Sequence, residues 1–267
     1  MEWWLGYLCL GAVVGFFAGL FGIGGGLVMV PVLSFLFSAQ DFPSDRIMHL
    51  ALGTSMAAII FTSLSSLRVH HINGAVNWNI VKLFTPGIIF GTLCGVALVN
   101  SLSGMCLSIF IILFIYYAAT KMWVNSATSP SRNLPGKAGM FAAGWIIGGM
   151  SSLVAIGGGI LTVPFLSACN VRLQHAIGTA AAIGFPLAIV GTASYIVIGI
   201  GIVQSQELPE YSLGYIYLPA LVGIAFFSVV SASIGAKVVH ITQTATIRRI
   251  FIILLYILGT KMLVGLF

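Results

Sequence analysis

One nine-residue pattern occurs twice in the chain, and it constrains the fold more than any other feature. Residues 23–31 read Ile-Gly-Gly-Gly-Leu-Val-Met-Val-Pro, and residues 156–164 read Ile-Gly-Gly-Gly-Ile-Leu-Thr-Val-Pro, 133 positions later in a chain of 267. A glycine triplet followed by a proline, set in apolar sequence and repeated at half the chain length, predicts two copies of one membrane unit containing a broken helix.

The setting of the motif is membrane-like throughout. Apolar residues make up 59% of the chain and charged residues 6%, against about 25% charged in a soluble domain. Residues 3–40, 83–120, 138–171 and 173–206 contain no Asp, Glu, Lys or Arg. Each stretch exceeds the roughly 20 residues of one spanning helix, so each holds two helices or a broken one. The alternating pattern of a membrane barrel is not seen, so the expected class is all-α and polytopic. Helices are expected at about 4–21, 26–38, 47–67, 80–99 and 105–124 in a first repeat (1–126). After a polar linker (127–137), a second repeat (138–267) carries helices at about 138–155, 158–169, 174–198, 213–236 and 248–266. The Met1-Glu2 start lacks a basic region, so no cleaved signal peptide is read. The net charge of +6 does not point to nucleic acid, because the basic residues fall between spans. Cys9, Cys94, Cys106 and Cys169 are isolated and read as small core residues.

Other segments repeat as well. Pro86 matches Pro219 at the same offset. His49-Leu-Ala-Leu-Gly-Thr54 resembles His175-Ala-Ile-Gly-Thr179, and Thr120-Lys121-Met122 matches Thr260-Lys261-Met262. Charge then chooses the relative orientation of the halves. If 4–38 and 138–169 fold back at their glycines and the N-terminus is outside, the inner side collects Arg68, Lys82, Lys121, Arg132, Lys137, Arg172, Lys237, Arg248 and Arg249. The outer side keeps Arg46 and Lys261, and the acids Glu2, Asp41, Asp45, Glu207 and Glu210 also fall outside. If each stretch instead crosses once, the basic residues divide almost evenly. Positive-inside sorting favours the hairpins, which make the repeats inverted, each a broken-helix hairpin plus three spanning helices.

The breaks carry the chemistry. Gly24, Gly25, Gly26 and Gly157, Gly158, Gly159 open the backbone inside the membrane, where irregular chain is tolerated only if buried in protein or facing a wet cavity. The short helices that follow expose amides with no intrahelical partner at the positive end of the helix dipole. Such an end binds anions, and two hairpin tips facing each other near the midplane would frame one site. Tight helix packing by small residues is the alternative reading. Thr54, Ser55 and Thr179 could donate to anion oxygens, or bond back to their own helices. Ser151-Ser152 stands where the first half has Ala18-Gly19, so Ser152 adds a hydroxyl to one hairpin only. His49 and His175 are the candidates for proton coupling, and sodium held by unwound carbonyls is the other option. Lys121 and Lys261 are expected to snorkel to the headgroups. His70-His71 has no third ligand at metal-site spacing, and no cofactor is expected.

At these residues the chain resembles a known family. Phe17-Ala-Gly-Leu-Phe-Gly-Ile-Gly-Gly-Gly26 with Val30-Pro31, and Ala155-Ile-Gly-Gly-Gly159 with Val163-Pro164, look like the paired signatures of the TauE/SafE family, also called the toluene-sulfonate uptake permeases. The His49…Gly53-Thr54 and His175…Gly178-Thr179 segments match its continuation. The resemblance covers essentially the whole chain. It implies a secondary transporter of a small sulfur-containing anion, such as sulfite, thiosulfate or an organosulfonate like sulfoacetate, in the bacterial cytoplasmic membrane, with homo-oligomers possible. A passive anion channel is the alternative function. A membrane enzyme lacks a carboxylate pair, an HExxH motif or a Cys/His cluster. A scaffold would leave the duplicated breaks unexplained. No ATP-binding motif is present, so the energy for transport is expected to come from an ion gradient, a partner or the substrate gradient.

Overall fold

The computed structural model describes residues 3–124, 133–203, 208–241 and 245–265. These form ten helices and one small ribbon: α1 (Trp3–Phe21), α2 (Gly26–Ser38), α3 (Ile47–Ile72), α4 (Trp78–Ser101), α5 (Gly104–Val124), α6 (Lys137–Val154), α7 (Gly159–Ala168), α8 (Leu173–Val203), β1 (Ser212–Leu213), β2 (Ile216–Tyr217), α9 (Leu218–Ile241) and α10 (Ala245–Val264). Six of them, α1, α3, α4, α5, α8 and α9, are long and apolar enough to cross a membrane. The spans are apolar on nearly every side, the hydroxyl-bearing α3 excepted. Large side chains such as Phe90, Leu113, Val197 and Phe226 stay exposed, a surface suited to lipid. Helices α2 and α7, with 13 and 10 residues, reach only about 20 and 15 Å at 1.5 Å per residue, too short to cross. Glu2, Arg132 and Glu207 of the charge argument, and most of the polar linker, lie outside the described residues.

Helix directions follow from where glycines meet neighbouring backbone. Gly11, Gly15 and Gly19 of α1 sit in order against Ile224, Ser228 and Ala232 of α9, so those helices are parallel. Gly87, Gly91 and Gly95 of α4 sit in order against Phe141, Trp145 and Gly149 of α6, so these are parallel too. Helix α3 runs with α9, with Gly53 beside Tyr215 and Ser65 bonded to Val229 and Ser233. The short turn between α3 and α4 reverses direction, so α1 and α6 run oppositely. The most extensive seams between the two halves are α1 with α9 and α4 with α6, beside the packing of α3 on α8 and α9.

Each broken segment returns toward the side it came from. Gln40, just past α2, donates to the Tyr7 hydroxyl at 2.7 Å, which brings the end of α2 back to the beginning of α1. In the second half Phe165 of α7 lies 5.6 Å from Phe84, whose carbonyl sits against Gly144 of α6. The hairpins are unequal: α1 is long enough to span, and α2 covers only part of the way back.

Four expectations need correcting. Of the cysteines read as core residues, Cys9, Cys94 and Cys106 are exposed and Cys169 is buried; a thiol is apolar enough to stand on a lipid-facing surface. The helix expected from residue 213 begins at Leu218, because Ser212–Leu213 and Ile216–Tyr217 pair as an antiparallel ribbon. Tyr211 (φ 63°) and Gly214 (φ 57°) are left-handed, which no helix accommodates. Pro86 and Pro219 are not equivalent: Pro86 is deep inside α4, whereas Pro219 is in the first turn of α9, where a missing N–H costs nothing. His49 and His175 are not equivalent either. Counted back from the matching threonines Thr54 and Thr179, the partner of His49 is Gln174.

Candidate functional site: the crossed glycine breaks

The two breaks do not meet tip to tip. They pass each other antiparallel, through bent, non-helical backbone. A Cβ on Gly24 would lie 2.8 Å from Gly157 Cα, and one on Gly157 would lie 2.9 Å from Gly24 Cα. On either side of this contact Gly22 faces Gly159, and Gly26 faces Ala155. The Gly157 N–H donates to the Ile23 carbonyl at 3.0 Å. The contact between the two equivalent glycines marks the centre of an exchange in which residue i meets j and the counterpart of j meets that of i. The exchange extends outward. The Tyr116 hydroxyl pairs with Thr260 Oγ1, and Thr120 Oγ1 with the Tyr256 hydroxyl, both at 2.8 Å.

Only glycine serves here, for two reasons. Gly24 (φ 72°), Gly25 (φ 87°) and Gly158 (φ 80°) are left-handed, and Gly26 and Gly159 lie directly against the opposing Ala155 and Gly22 carbonyls. Gly25 and Gly158 are the N-caps of α2 and α7, and neither has a side chain to cap them. Pro31 and Pro164 occupy the same place in those helices. Each leaves the carbonyl four residues earlier, on Leu27 and Ile160, without a helical donor. Amides and carbonyls without an intrahelical partner are thus gathered close to the crossing.

A small cavity of about 10 Å³, room for roughly one water, lies at the crossing. Its walls include Gly22, Gly24 and Gly157 from the breaks and Thr62, Ser63 and Ser66 from α3. Thr62 Oγ1 donates to the carbonyls of Gly24 (3.3 Å) and Ile59 (3.2 Å), and Ser63 donates to Ile60. Ser66 Oγ is buried without a partner. The α3 hydroxyls were missed by sequence reasoning. Their signal is the run Thr62-Ser63-Leu64-Ser65-Ser66 in an apolar helix, which can equally be read as residues bonded to their own backbone.

The other residues singled out from the sequence fall into separate groups. Thr54 accepts from the Tyr217 N–H, and Thr179 from the Asn77 N–H, each at 3.0 Å. They anchor the entries of α9 and α4 rather than lining the cavity. Replacing Thr54 or Thr179 by Val is expected to lower stability by about 1–3 kcal/mol by stranding the amide. Thr→Ser should recover most of it, read from thermal unfolding in detergent. Ser55 Oγ is buried and unpartnered. Ser152 Oγ donates to the Gly149 carbonyl at 2.9 Å and packs on Gly95. Near it, Ser151 Oγ and Thr162 Oγ1 are buried and unpartnered, both facing Gly158.

His49 is buried, with its ring 5.1 Å from that of Tyr215. Arg46 donates to the Tyr215 hydroxyl at 3.0 Å and pairs with Asp45 at 3.1 Å. Burial pushes the Tyr215 hydroxyl above its usual pKa, so it stays protonated beside Arg46. His175 is half-buried near the start of α8, away from this cluster. Lys121 and Lys261 are exposed, and Lys261 Nζ lies 3.7 Å above the Phe35 ring. Among the described residues no three His, Cys, Asp or Glu side chains gather to hold a metal.

Comparison with known proteins agrees with a transport role. The profile described as "Sulfite exporter TauE/SafE" matches residues 7–262. A "Probable membrane transporter protein" of Haemophilus influenzae is 38% identical over 260 residues, covering 96% of this chain and 97% of that protein. One of Methanocaldococcus jannaschii is 27% identical, covering 94% and 91% of the two chains. The probable membrane transporter protein YunE of Bacillus subtilis is 26% identical, covering 95% of each. No solved structure matches the chain.

Proposed function

The chain belongs to the sulfite exporter TauE/SafE family of multi-pass membrane transporters, and from that premise we propose that it is a secondary transporter of a small sulfur-containing anion, built from two inverted repeats. The observation that carries this reading is the crossing of the two glycine breaks at Gly24 and Gly157, with a half-helix starting on either side of it. The amides at the starts of α2 and α7 offer donors and partial positive charge without an ionised side chain. This suits an anion that must bind and leave. Neither break contains a carboxylate to repel it.

Alternating access then consists of one bundle rocking against the other around the crossing. The opposed directions of α1 and α6 support the inversion. The count of basic residues favours the start of α1 lying outside a bacterial cytoplasmic membrane. With the inside negative, anion export is electrically downhill by about 2.3 kcal/mol per charge per 100 mV. Uptake therefore needs more coupling than export, and the candidates for it are a proton on His49 or His175 and sodium on the Leu27 and Ile160 carbonyls.

The test is thermal stability of the purified protein with sulfite, thiosulfate, sulfoacetate, taurine, sulfate, chloride and nitrate, followed by flux of any stabilising anion into proteoliposomes. A ligand at 100 times its dissociation constant stabilises by about 2.7 kcal/mol. The expected result is a selective shift with one sulfur anion and saturable flux of that anion. A shift with chloride or nitrate alone, or no flux of any sulfur anion, would overturn the substrate class. Unsaturable, channel-like current would replace the carrier by a pore.

A further inference from the structure

One face of α3 carries Thr62, Ser66 and His70 at successive turns, all buried. Thr62 and Ser66 border the cavity at the crossing, and the unpartnered Ser66 hydroxyl is one of its walls. One turn further on, His70 Nε2 lies 3.3 Å from the Gly19 carbonyl of α1. This contact closes the stretch between the cavity and the end of α3 that carries Arg68 and His71.

The exchange between halves gives this contact a counterpart. Tyr195 follows Thr179 by as many residues as His70 follows Thr54, and Ser152 precedes Gly157 by as many as Gly19 precedes Gly24. The Tyr195 hydroxyl donates to the Ser152 carbonyl at 3.0 Å. A polar side chain of a central helix therefore holds the last turn of the long hairpin arm of its own half, once on each side of the crossing. The space between differs. The counterparts of Thr62, Ser63 and Ser66 are Leu187, Ala188 and Gly191, and Met56 fills the room over Gly191, its sulfur 3.1 Å from where a Cβ would be.

We propose that the Thr62–Ser66–His70 face is one half of the substrate path, that His70 on Gly19 is its gate, and that Tyr195 on Ser152 is the gate of the other half. This rests on the transporter reading above. The half-path offers hydroxyl and imidazole donors and no carboxylate, which suits an oxyanion moving past one donor at a time. The opposite half, walled by Leu187 and Met56, is closed by hydrocarbon as well as by its gate.

Thiol labelling tests this without any substrate. In a background where Cys9, Cys94, Cys106 and Cys169 are replaced, Ser66→Cys in sealed vesicles is treated with a membrane-impermeant thiol reagent. Arg68→Cys identifies the side. Labelling of Ser66→Cys is expected only from the side that labels Arg68→Cys, and His70→Ala should speed it at least tenfold. His70→Gln, which keeps a donor for the Gly19 carbonyl, should stay within a few-fold of the parent, and Tyr195→Phe should leave the rate unchanged. Acceleration by His70→Gln equal to that by His70→Ala, no acceleration by either, or labelling from the opposite side would each overturn the proposal. Because the reagent takes the place of the solute, an error in the assigned anion leaves this outcome untouched, and the two failures are distinguishable.

Discussion

Alanine at Gly26 or at Gly159 is expected to break the crossing, although it adds a single methyl group. Neither residue has a positive φ, so backbone strain does not enter. The added Cβ would fall on the Ala155 carbonyl in one case and on the Gly22 carbonyl in the other. Both obstacles are backbone, and no rotamer change relieves them. Relief requires the two broken segments to separate, which undoes the Gly24–Gly157 contact and the hydrogen bond from Gly157 to Ile23. Overpacking of a tight core costs about 1–3 kcal/mol when side chains can yield, so about 3 kcal/mol or more is expected here. Gly158→Ala is the control. Its Cβ meets only ordinary contacts at 3.5–3.8 Å, leaving the left-handed backbone as the penalty, about 1–2 kcal/mol. Unfolding midpoints in detergent should rank parent, Gly158→Ala, then Gly26→Ala and Gly159→Ala. Flux should disappear in the last two even where protein reaches the membrane. Equal midpoints for Gly158→Ala and Gly26→Ala would mean that conformation, not contact, makes these glycines necessary.

The sequence made the breaks visible but not their mutual geometry. A glycine triplet reports that the helix stops, and the length of the following apolar run reports that the next helix is too short to span. Whether two such breaks face each other or slide past depends on long-range contacts such as Gly22 with Gly159, for which the sequence has no local marker. The ribbon at 212–217 was hidden for a related reason. Ser-Leu-Gly-Tyr-Ile-Tyr is apolar enough to pass for the start of α9, and the left-handed Tyr211 and Gly214 keep the helix from starting before Leu218. Thr54 and Thr179 stand out in the sequence as a repeated pair. Their partners are backbone amides of a distant turn, which no side-chain pattern announces. His70 and Tyr195 escaped because their equivalence is one of position in the exchange rather than of residue type.

Leucine at Gly91 is expected to part the two halves of the molecule along α4 and α6. Gly87, Gly91 and Gly95 sit four apart on α4, so they line one face. Opposite them, Gly144 and Gly148 of α6 meet the carbonyls of Phe84 and Ile88. In lipid, hydrophobic burial does not hold helices together; close backbone approach over small residues does. A Cβ at Gly91 would already collide with the Trp145 carbonyl, and the Gly149 amide would be 2.9 Å away. A full isobutyl group must push the helices apart along the whole seam, so the loss extends beyond one contact, and about 3 kcal/mol or more is expected. Gly149→Ala shares the same interface, yet its Cβ would sit 3.4 Å from the nearest atom, the Gly91 carbonyl oxygen. That variant should unfold close to the parent. Gly201→Ala on α8 faces open space and should be neutral or more stable by up to about 1 kcal/mol through helix propensity. The seam explanation requires Gly19→Leu, on the counterpart seam of α1 with α9, to behave like Gly91→Leu, because its Cβ would strike the Ala232 carbonyl. A normal unfolding midpoint for either leucine variant would show that the halves are held together elsewhere, through α3 with α8 and through the crossing itself.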